Sequence, residues 1–152
     1  MKIETLRLIM IPCDSHSQKI IETQNYDNGA EIAKHLKELG DDPALYGWGS
    51  WLVLQKSDGV IIGDAGFKGK PNSGHEVEVG YGFLETYWGK GYATEAVEGL
   101  VAWAFNGMAV KKVIAETNWD NIGSIRVLEK VGMKKTRDSE DMIYWELTYQ
   151  KR

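Results

Sequence analysis

The segment of residues 87–96 joins two hydrophobic periodicities through a pair of glycines, and this junction constrains the fold more than any other ten residues. Upstream, apolar residues alternate with glutamate and glycine, which predicts a strand with one buried face, formed by Val77, Val79, Tyr81 and Phe83. Downstream, apolar residues recur at helical spacing from Ala93 to Phe105. The sequence therefore predicts a strand, a glycine turn and a helix in direct succession.

Gly89 and Gly91 occupy the turn of this junction. Glycine lacks a Cβ atom, so the main chain can turn sharply there and approach a ligand closely. The first N–H groups of the following helix have no partner within the helix, and the helix dipole favours an anion beside them. The junction predicts a phosphate-binding loop, although a plain strand-to-helix turn satisfies the same pattern.

Two common phosphate loops fit these residues poorly. A P-loop needs Gly-x-x-x-x-Gly-Lys-Ser/Thr, whereas Lys90 is followed by Gly91 and no glycine stands five residues before Gly89. A dinucleotide fingerprint needs glycine or alanine three residues after its second glycine, and this chain has Thr94 there. A nucleotide-binding module that uses this Gly-x-Gly loop is an alternative interpretation.

The junction resembles motif A of the GNAT N-acetyltransferases, Gln/Arg-x-x-Gly-x-Gly/Ala, which aligns with residues 88–93 and has Trp88 in place of the usual Gln/Arg. With residues 78–81, Glu-Val-Gly-Tyr, the longer string looks like the branch that contains the RimJ/RimL-type ribosomal-protein N-terminal acetyltransferases. Residues 115–133 resemble the family's fifth strand, fourth helix and sixth strand. Residues 5–12 resemble its first strand.

The resemblance implies an α+β GNAT fold, in which a mixed, mostly antiparallel seven-stranded sheet carries helices on both faces and its fourth and fifth strands splay apart. The succession of strand and helix patterns also predicts the mixed, mostly antiparallel sheet with helices on both sides, whereas the splay is implied by the resemblance alone. Residues 1–152 are expected to form one domain, and residues 3–11 a single first strand. Gly80 and Gly82 would permit the bulge that the family usually carries in its fourth strand.

By the same resemblance, the cosubstrate is acetyl-CoA. Its pyrophosphate would lie on the N–H groups around residues 89–94, and its pantetheine arm would pair with the fourth strand. Asn121 would hydrogen-bond that arm, or it would cap the helix that follows. The predicted cofactor-binding residues are Phe83, Leu84, Gly89, Lys90, Gly91, Tyr92, Ala93, Thr94 and Asn121.

Acetyl transfer to an amine requires a neutral nitrogen, and a positioned carboxylate can remove its proton directly or through water. Glu78 is the first candidate for this base, because related enzymes often place a carboxylate at this point of the fourth strand. Glu76 lies on the same face of the strand and is the second candidate. An ion-paired or solvent-facing glutamate is the alternative interpretation of both residues.

The departing thiolate needs a proton donor and the oxyanion needs a hydrogen bond. Many members of the family use a tyrosine on the fourth helix as the acid, but this chain has Leu128 at that position. Ser124 could bind the sulfur or relay a proton, or it could be an ordinary serine of the first helical turn. A backbone N–H near Tyr81 or Gly82 is the expected oxyanion donor.

Composition excludes several other classes of function. Cys13 is the only cysteine and the three histidines lie far apart, so no internal disulfide and no metal site is predicted. A net charge of −4 argues against nucleic-acid binding, and no stretch approaches the roughly 20 apolar residues of a membrane span. Without a signal-like start, a cytoplasmic location is expected. Trp48 and Trp51 line a substrate cleft or fill the core.

The resemblance implies an N-acetyltransferase that moves an acetyl group from acetyl-CoA to a primary amine by direct attack in a ternary complex. The acceptor would be a protein N-terminal α-amine or a small-molecule amine, and no diagnostic motif distinguishes them. Because Leu128 replaces the usual tyrosine, a non-catalytic acyl-CoA-binding sensor is the alternative. A homodimer is expected from family habit alone.

Overall fold

The computed structural model describes residues 1–27 and 29–150, so Asn28 and the last two residues of the predicted domain lie outside it. The elements in chain order are β1 Ile3–Glu4, β2 Leu8–Pro12, α1 Ser17–Thr23, α2 Gly29–Asp41, β3 Ser50–Gln55, β4 Ile61–Phe67, β5 Glu76–Phe83, α3 Tyr92–Asn106, β6 Lys112–Asn118, α4 Ile122–Val131, β7 Lys134–Asp138 and β8 Met142–Thr148. Two short 3-10 turns, Pro43–Leu45 and Glu85–Tyr87, complete the described elements.

One sheet of the order β1-β2-β3-β4-β5-β6-β8-β7 organises the described residues. All neighbouring strands are antiparallel except β5 and β6, which run parallel because α3 carries the chain from one to the other. The mixed, mostly antiparallel α+β architecture is confirmed. The sheet has eight strands rather than the predicted seven.

The additional strand arises because the predicted first strand is broken by a turn. Thr5 donates its N–H to the carbonyl of Leu8 at 2.9 Å, which folds β1 back onto β2. The carboxylate of Glu95 accepts hydrogen bonds from the Thr5 hydroxyl and from the Arg7 N–H. A group ninety positions away therefore fixes a turn that the local alternation of residues 3–11 concealed.

Helices cover both faces of the sheet, as predicted. The larger core lies against α3 and α4, and its fully buried members include Leu8, Trp51, Leu100 and Val113. A smaller core lies on the opposite face against α1 and α2; it comprises Cys13, Ile21, Ile32, Leu52 and Ile61. Burial of apolar area, worth roughly 25 cal/mol per Å², is what holds each helix layer on its face.

The tryptophans that could have lined a cleft belong to the core. Trp51 is fully buried and donates its indole N–H to the carbonyl of Gly47 at 2.8 Å. Trp48 packs against Trp103, with ring centroids 4.9 Å apart, and against Phe67 at 5.4 Å. Neither indole borders the cleft described below, so the cleft-lining alternative is wrong for both.

The parallel strands β5 and β6 separate soon after they meet. Their ladder runs only from Glu76 opposite Lys112 to Glu78 opposite Ile114, and the remainders of both strands have no pairing with each other. The predicted splay of the fourth and fifth strands of the seven-stranded scheme is therefore present, between β5 and β6. This gap positions the candidate site.

The bulge expected at Gly80 and Gly82 does not appear in the pairing of β5 with β4. That register is continuous from Phe67 opposite Val79 to residue 63 opposite residue 83. The sheet instead shifts register in the β3–β4 pair, between Val53 and Leu54. The two glycines of β5 have a different consequence, because they leave one face of the strand without side chains.

Candidate functional site

A cleft of about 400 Å³ follows the gap between β5 and β6. Towards α4 it is bordered by Asn121, Ser124 and Leu128, and on the opposite face of the sheet it reaches Glu31 of α2 and Lys68 at the end of β4. The cleft therefore connects the two faces through the sheet. A ligand entering from the side of α3 and α4 can meet a second ligand that enters from the side of α1 and α2.

The glycine turn lies within residues 87–96 and ends at Tyr92, the first residue of α3. Gly89 and Gly91 have φ angles of +74° and +83°, the left-handed region that other residues adopt with strain, and Gly91 is the N-cap of α3. A Cβ atom at Gly89 would meet nothing within 4 Å, so the glycine is required by the dihedral angle rather than by space. The turn is solvent-exposed and presents the unpaired N–H groups of the first helical turn.

Arg7 fixes this turn from the strand side. Its Nη1 donates to the carbonyl of Lys90 at 3.0 Å, and its guanidinium lies 4.2 Å from the centre of the Tyr92 ring. Its Nε lies 2.7 Å from Oε1 of Glu95. Sequence reasoning missed Arg7, whose only signal was a charged residue inside an otherwise apolar run. The guanidinium adds positive charge beside the N–H groups where an anion is expected.

Glu95 joins the first helical turn of α3 to the β1–β2 turn. Burial alone raises the pKa of this carboxyl, but hydrogen bonds from Thr5 and from Arg7, together with the guanidinium charge, outweigh it and hold the pKa below its ordinary value. The carboxylate is therefore ionised at neutral pH. It ties the orientation of Arg7 to the start of the helix.

The backbone of β5 presents alternate residues to the gap. Glu78 accepts from Lys68 N–H and Leu84 donates to the Ile62 carbonyl, both at 2.9 Å, so the even-numbered residues of β5 bond to β4. The odd-numbered residues Tyr81 and Phe83 therefore direct their N–H and C=O groups into the gap. Leu84 is one of the predicted cofactor-binding residues, and its N–H is already bonded to the Ile62 carbonyl of the sheet.

Two details refine the predicted backbone contacts. The N–H of Tyr81 faces the gap whereas that of Gly82 faces β4, so Tyr81 is the better placed of the two expected oxyanion donors. The Phe83 carbonyl already accepts a 2.8 Å hydrogen bond from the indole of Trp88, an exposed side chain. Sequence reasoning gave no indication of this indole contact.

Asn121 is the N-cap of α4, and its Oδ1 accepts from the Ser124 N–H at 3.2 Å. Capping uses the amide oxygen and does not use the two donors of the NH₂ group, so capping and ligand binding are compatible. At the other end, Gly132 adopts a φ of +98° and Met133 donates to the Leu128 carbonyl, which is a left-handed glycine C-cap. The two caps fix α4 beside the gap.

The candidate bases differ in their partners. Glu78 forms a 2.8 Å ion pair with Lys68; Lys68 borders the cleft, whereas Glu78 itself is not among the residues that line it. The hydrogen bond to Glu78 raises the pKa of Lys68, burial opposes the rise, and the charges of Glu78, Glu116 and Glu31 add to it. Glu76 instead accepts from Asn72 and pairs with Lys112 at 3.7 Å, outside the cleft.

A carboxylate that sequence reasoning missed is Asp64 of β4. It is buried, borders the cleft, stands opposite Gly82 and accepts a 2.6 Å hydrogen bond from the Tyr26 hydroxyl. Burial, followed by the hydrogen bond to Asp64 and its charge, raises the pKa of Tyr26. The sequence signal for Asp64 was a charged residue in the middle of an apolar strand. Aspartate is almost never fully buried unless it has a partner.

Gly80 and Gly82 form a floor between these carboxylates. A Cβ atom at Gly80 would lie 3.4 Å from Cε of Lys68, and one at Gly82 would meet nothing within 4 Å. Both glycines face α1 and α2, because they alternate with Val79 and Tyr81 of the opposite face. The floor leaves room for an acceptor beside the gap.

Residues 1–27 and 29–150 contain neither a metal-binding cluster nor a candidate membrane span. No three histidine, cysteine, aspartate or glutamate side chains in these ranges converge to hold a metal ion. In the same ranges, no helix combines the length and the apolar character needed to cross a bilayer.

Known proteins resemble this chain in sequence. The uncharacterized N-acetyltransferase YjdG of Bacillus subtilis (strain 168) is 32% identical over 99 residues, which are 65% of this chain and 59% of that protein. The chain spans about half to three-fifths of the length of the curated relatives it matches first. The similarity is therefore to part of each relative.

Solved structures share the fold. A ribosomal-protein alanine acetyltransferase from Vibrio fischeri gives a TM-score of 0.79 at 19% identity, over 97% of this chain and 96% of that one. RimL, a ribosomal α-N-protein acetyltransferase in complex with coenzyme A, gives 0.76 at 14% identity, over 97% and 98% of the two chains. At these identities the likeness shows the fold alone.

The family model of the acetyltransferase (GNAT) domain matches residues 10–134. The match contains the glycine turn, the gap between β5 and β6, and α4. It confirms the resemblance read from the two sequence motifs. The protein therefore belongs to the GNAT acetyltransferase family.

Proposed function

We propose that this protein transfers an acetyl group from acetyl-CoA to a primary amine, by direct attack in a ternary complex. One observation carries the proposal: the gap between β5 and β6 leads from unpaired strand backbone, beside the glycine turn, to a carboxylate-lined opening on the other face. A diphosphate-bearing ligand with an amide-rich arm can use the first two features. An amine can use the third.

The residues present fit such a cosubstrate. The N–H groups of residues 89–94 and the guanidinium of Arg7 would bind the pyrophosphate, because both favour an anion. The gap-facing backbone of Tyr81 and Phe83 and the NH₂ group of Asn121 would bind the pantetheine arm. The bound cosubstrate supplies an activated acetyl thioester.

The acceptor face supports an amine as the second substrate. Glu31, Asp64 and Glu116 border the cleft with Lys68 as the cation among them, so carboxylates outnumber the positive charge. Negative potential attracts an amine that is protonated in solution. Glu78 would then remove the proton, directly or through water, and the Tyr81 N–H would stabilise the oxyanion.

The type of amine decides how much the base must contribute. An α-amine with a pKa near 7.7–8.0 is largely ready to react at neutral pH, whereas a lysine-type amine near 10.4 requires roughly 4–5 kcal/mol to lose its proton. Protein N-terminal α-amines and small-molecule amines are both proposed acceptors. Parallel panels of each kind therefore belong in the same assay.

The test is to incubate the purified protein with acetyl-CoA and with panels of peptides, polyamines and aminoglycosides, and to measure free thiol. Amine-dependent thiol release with a matching gain of one acetyl group in the acceptor is the expected result. Binding of acetyl-CoA without release in any panel overturns the transferase proposal.

The second candidate function is a non-catalytic acyl-CoA sensor, and Leu128 is the observation that favours it. This buried side chain borders the cleft at the position where many family members carry their acid. A sensor binds coenzyme A with the same determinants but shows no amine-dependent turnover. Calorimetry with acetyl-CoA, ATP and NAD also separates both candidates from a nucleotide-binding module, which would prefer ATP or NAD.

A further inference from the structure

Tyr81 places its hydroxyl group between β5 and α4, beside the gap that separates β5 from β6. Tyr81 follows Glu78, the last residue of β5 that pairs with β6, by three positions, and its hydroxyl donates to the backbone carbonyl of Ser124 at 3.4 Å. The ring is half-buried and lies beside Phe83, with centroids 6.4 Å apart. The side chain therefore spans the gap that a thioester must enter to reach the acceptor face.

The hydroxyl reaches the same side of α4 as Leu128. Ser124 and Leu128 are four residues apart on α4, so they share a helix face, and both border the cleft together with Tyr81. Leu128 has no proton to give. The phenol of Tyr81 on β5 therefore contacts α4 one helical turn from Leu128, the position that lacks an acidic hydroxyl.

The hydrogen bond that holds Tyr81 is a weak one. The distance of 3.4 Å is longer than the roughly 2.5–3.0 Å of an ordinary O–H···O bond, and a helix carbonyl is a modest acceptor compared with a thiolate. Burial raises the pKa of Tyr81, against a smaller lowering by its contact with Ser124, so the phenol keeps its proton at neutral pH. The Ser124 hydroxyl is a much weaker acid than any phenol.

We propose that Tyr81 is the proton donor to the departing sulfur, an inference that rests on the proposed acetyl transfer. As the new N–C bond forms and the C–S bond breaks, the base accepts the proton that the amine nitrogen loses, and Tyr81 gives its phenolic proton to sulfur. Water then returns a proton from the base to the tyrosinate. The products are an N-acetyl amine and a thiol.

The test uses coenzyme A itself, whose thiol reports on its neighbours without any acceptor. In the wild-type complex, Tyr81 is expected to stabilise the bound thiolate, so that ultraviolet titration gives about a tenfold higher thiolate-to-thiol ratio than free coenzyme A at the same pH. In Tyr81→Phe this ratio returns to that of the free thiol, because the ring remains and only the hydroxyl is lost. Tyr149→Phe, which alters an exposed ring packed at a tilted angle against Phe105, keeps the wild-type ratio.

A second measurement compares the binding of two ligands that differ only in the sulfur. Calorimetry should show that coenzyme A binds more tightly than desulfo-coenzyme A above neutral pH, and that this preference disappears in Tyr81→Phe. Equal thiol titration in wild type and Tyr81→Phe overturns the assignment, and a loss confined to Ser124→Ala assigns the donor to Ser124 instead. Failure of coenzyme A to bind any variant overturns the proposed function itself, and this inference with it.

Discussion

Arg7 and Glu95 meet edge to edge, with Arg7 Nε 2.7 Å from Oε1 and the Arg7 backbone N–H 2.8 Å from Oε2 of the same carboxylate. The pair joins the β1–β2 turn to the first turn of α3, across 88 positions of sequence. It therefore orders the strand edge and the start of the helix as one unit. Its energetic contribution depends on the charge of Glu95.

The first prediction concerns Glu95→Gln. We expect this change to lower the free energy of unfolding at neutral pH by about 1 kcal/mol, a modest value because Arg7 is partly solvent-screened. The folded-state pKa of Glu95 is below its ordinary value of 4.5, so the stabilisation is complete above that pH and is lost as the pH falls through the folded-state value.

Urea denaturation at a series of pH values checks this. The difference between wild type and Glu95→Gln should shrink as the pH falls below 4.5, whereas Glu98→Gln, at an exposed position of the same helix, should show almost no difference at any pH. A difference for Glu95→Gln that stays constant with pH would contradict the role of the charge.

The second prediction concerns the left-handed glycines of the turn. Gly89→Ala imposes a Cβ atom on a residue with positive φ, which costs about 1–2 kcal/mol in strain that the chain relieves by moving the turn. We expect affinity for coenzyme A, measured by calorimetry, to fall about tenfold or more. Gly59→Ala is the matched control, because Gly59 has a φ of +72° and equally open space in the β3–β4 hairpin. Equal affinities in all three proteins would remove the pyrophosphate from this turn.

The third prediction separates the two candidate bases. Glu78→Gln removes the carboxylate that pairs with Lys68 at the cleft, and we expect turnover with a lysine-type amine to fall about 10²–10⁴-fold. Glu76→Gln alters the same face of β5 one step earlier, beside Lys112, and should retain most activity. The loss should be smaller for an α-amine acceptor, because such an amine needs less help to become neutral. Similar rates for wild type and Glu78→Gln would transfer the role to another carboxylate, with Asp64 the next to test.

The fourth prediction concerns the indole of Trp88. Because it donates to the Phe83 carbonyl on the gap side, a pantetheine amide that pairs there must displace it. Trp88→Phe removes the competing donor, so we expect coenzyme A to bind a few-fold more tightly, in line with one hydrogen bond of about 0.5–1.5 kcal/mol. Trp119→Phe, which loses a comparable indole bond to Ser139 outside the cleft, should bind as the wild type does. Weaker binding of Trp88→Phe would show that the indole contacts the ligand.

Local pattern predicted much of the site. The glycine turn, the N-terminus of α3 and both caps of α4 were predictable because each is encoded within a few residues, as with Asn121 and Gly132. The splay was implied by family resemblance, and no periodicity could have shown it, since paired and unpaired strands read alike. The reach of sequence reasoning therefore ended where elements distant in sequence meet.

Contacts between distant side chains account for what was missed. The Tyr26 hydroxyl donates to Asp64 across 38 positions of sequence. The ion pair of Lys68 with Glu78 depends on β4 and β5 lying side by side in the sheet. A long-range hydrogen bond also converted one predicted strand into two. Side-chain chemistry is local in space but not in sequence, and strand order decides which side chains become neighbours.

The glycine floor at Gly80 and Gly82 implies that different parts of the protein determine the acceptor and the cosubstrate. Because glycines place no side chains on the floor, the floor does not limit the length or shape of an accepted amine. Under the proposed function, the rim would set these limits, where Glu31 and the first turn of α2 lie. Under the proposed function, substitutions in α2 would change acceptor choice without altering the strands that bind the thioester. Acceptor preference should therefore drift faster among close relatives than cosubstrate preference does.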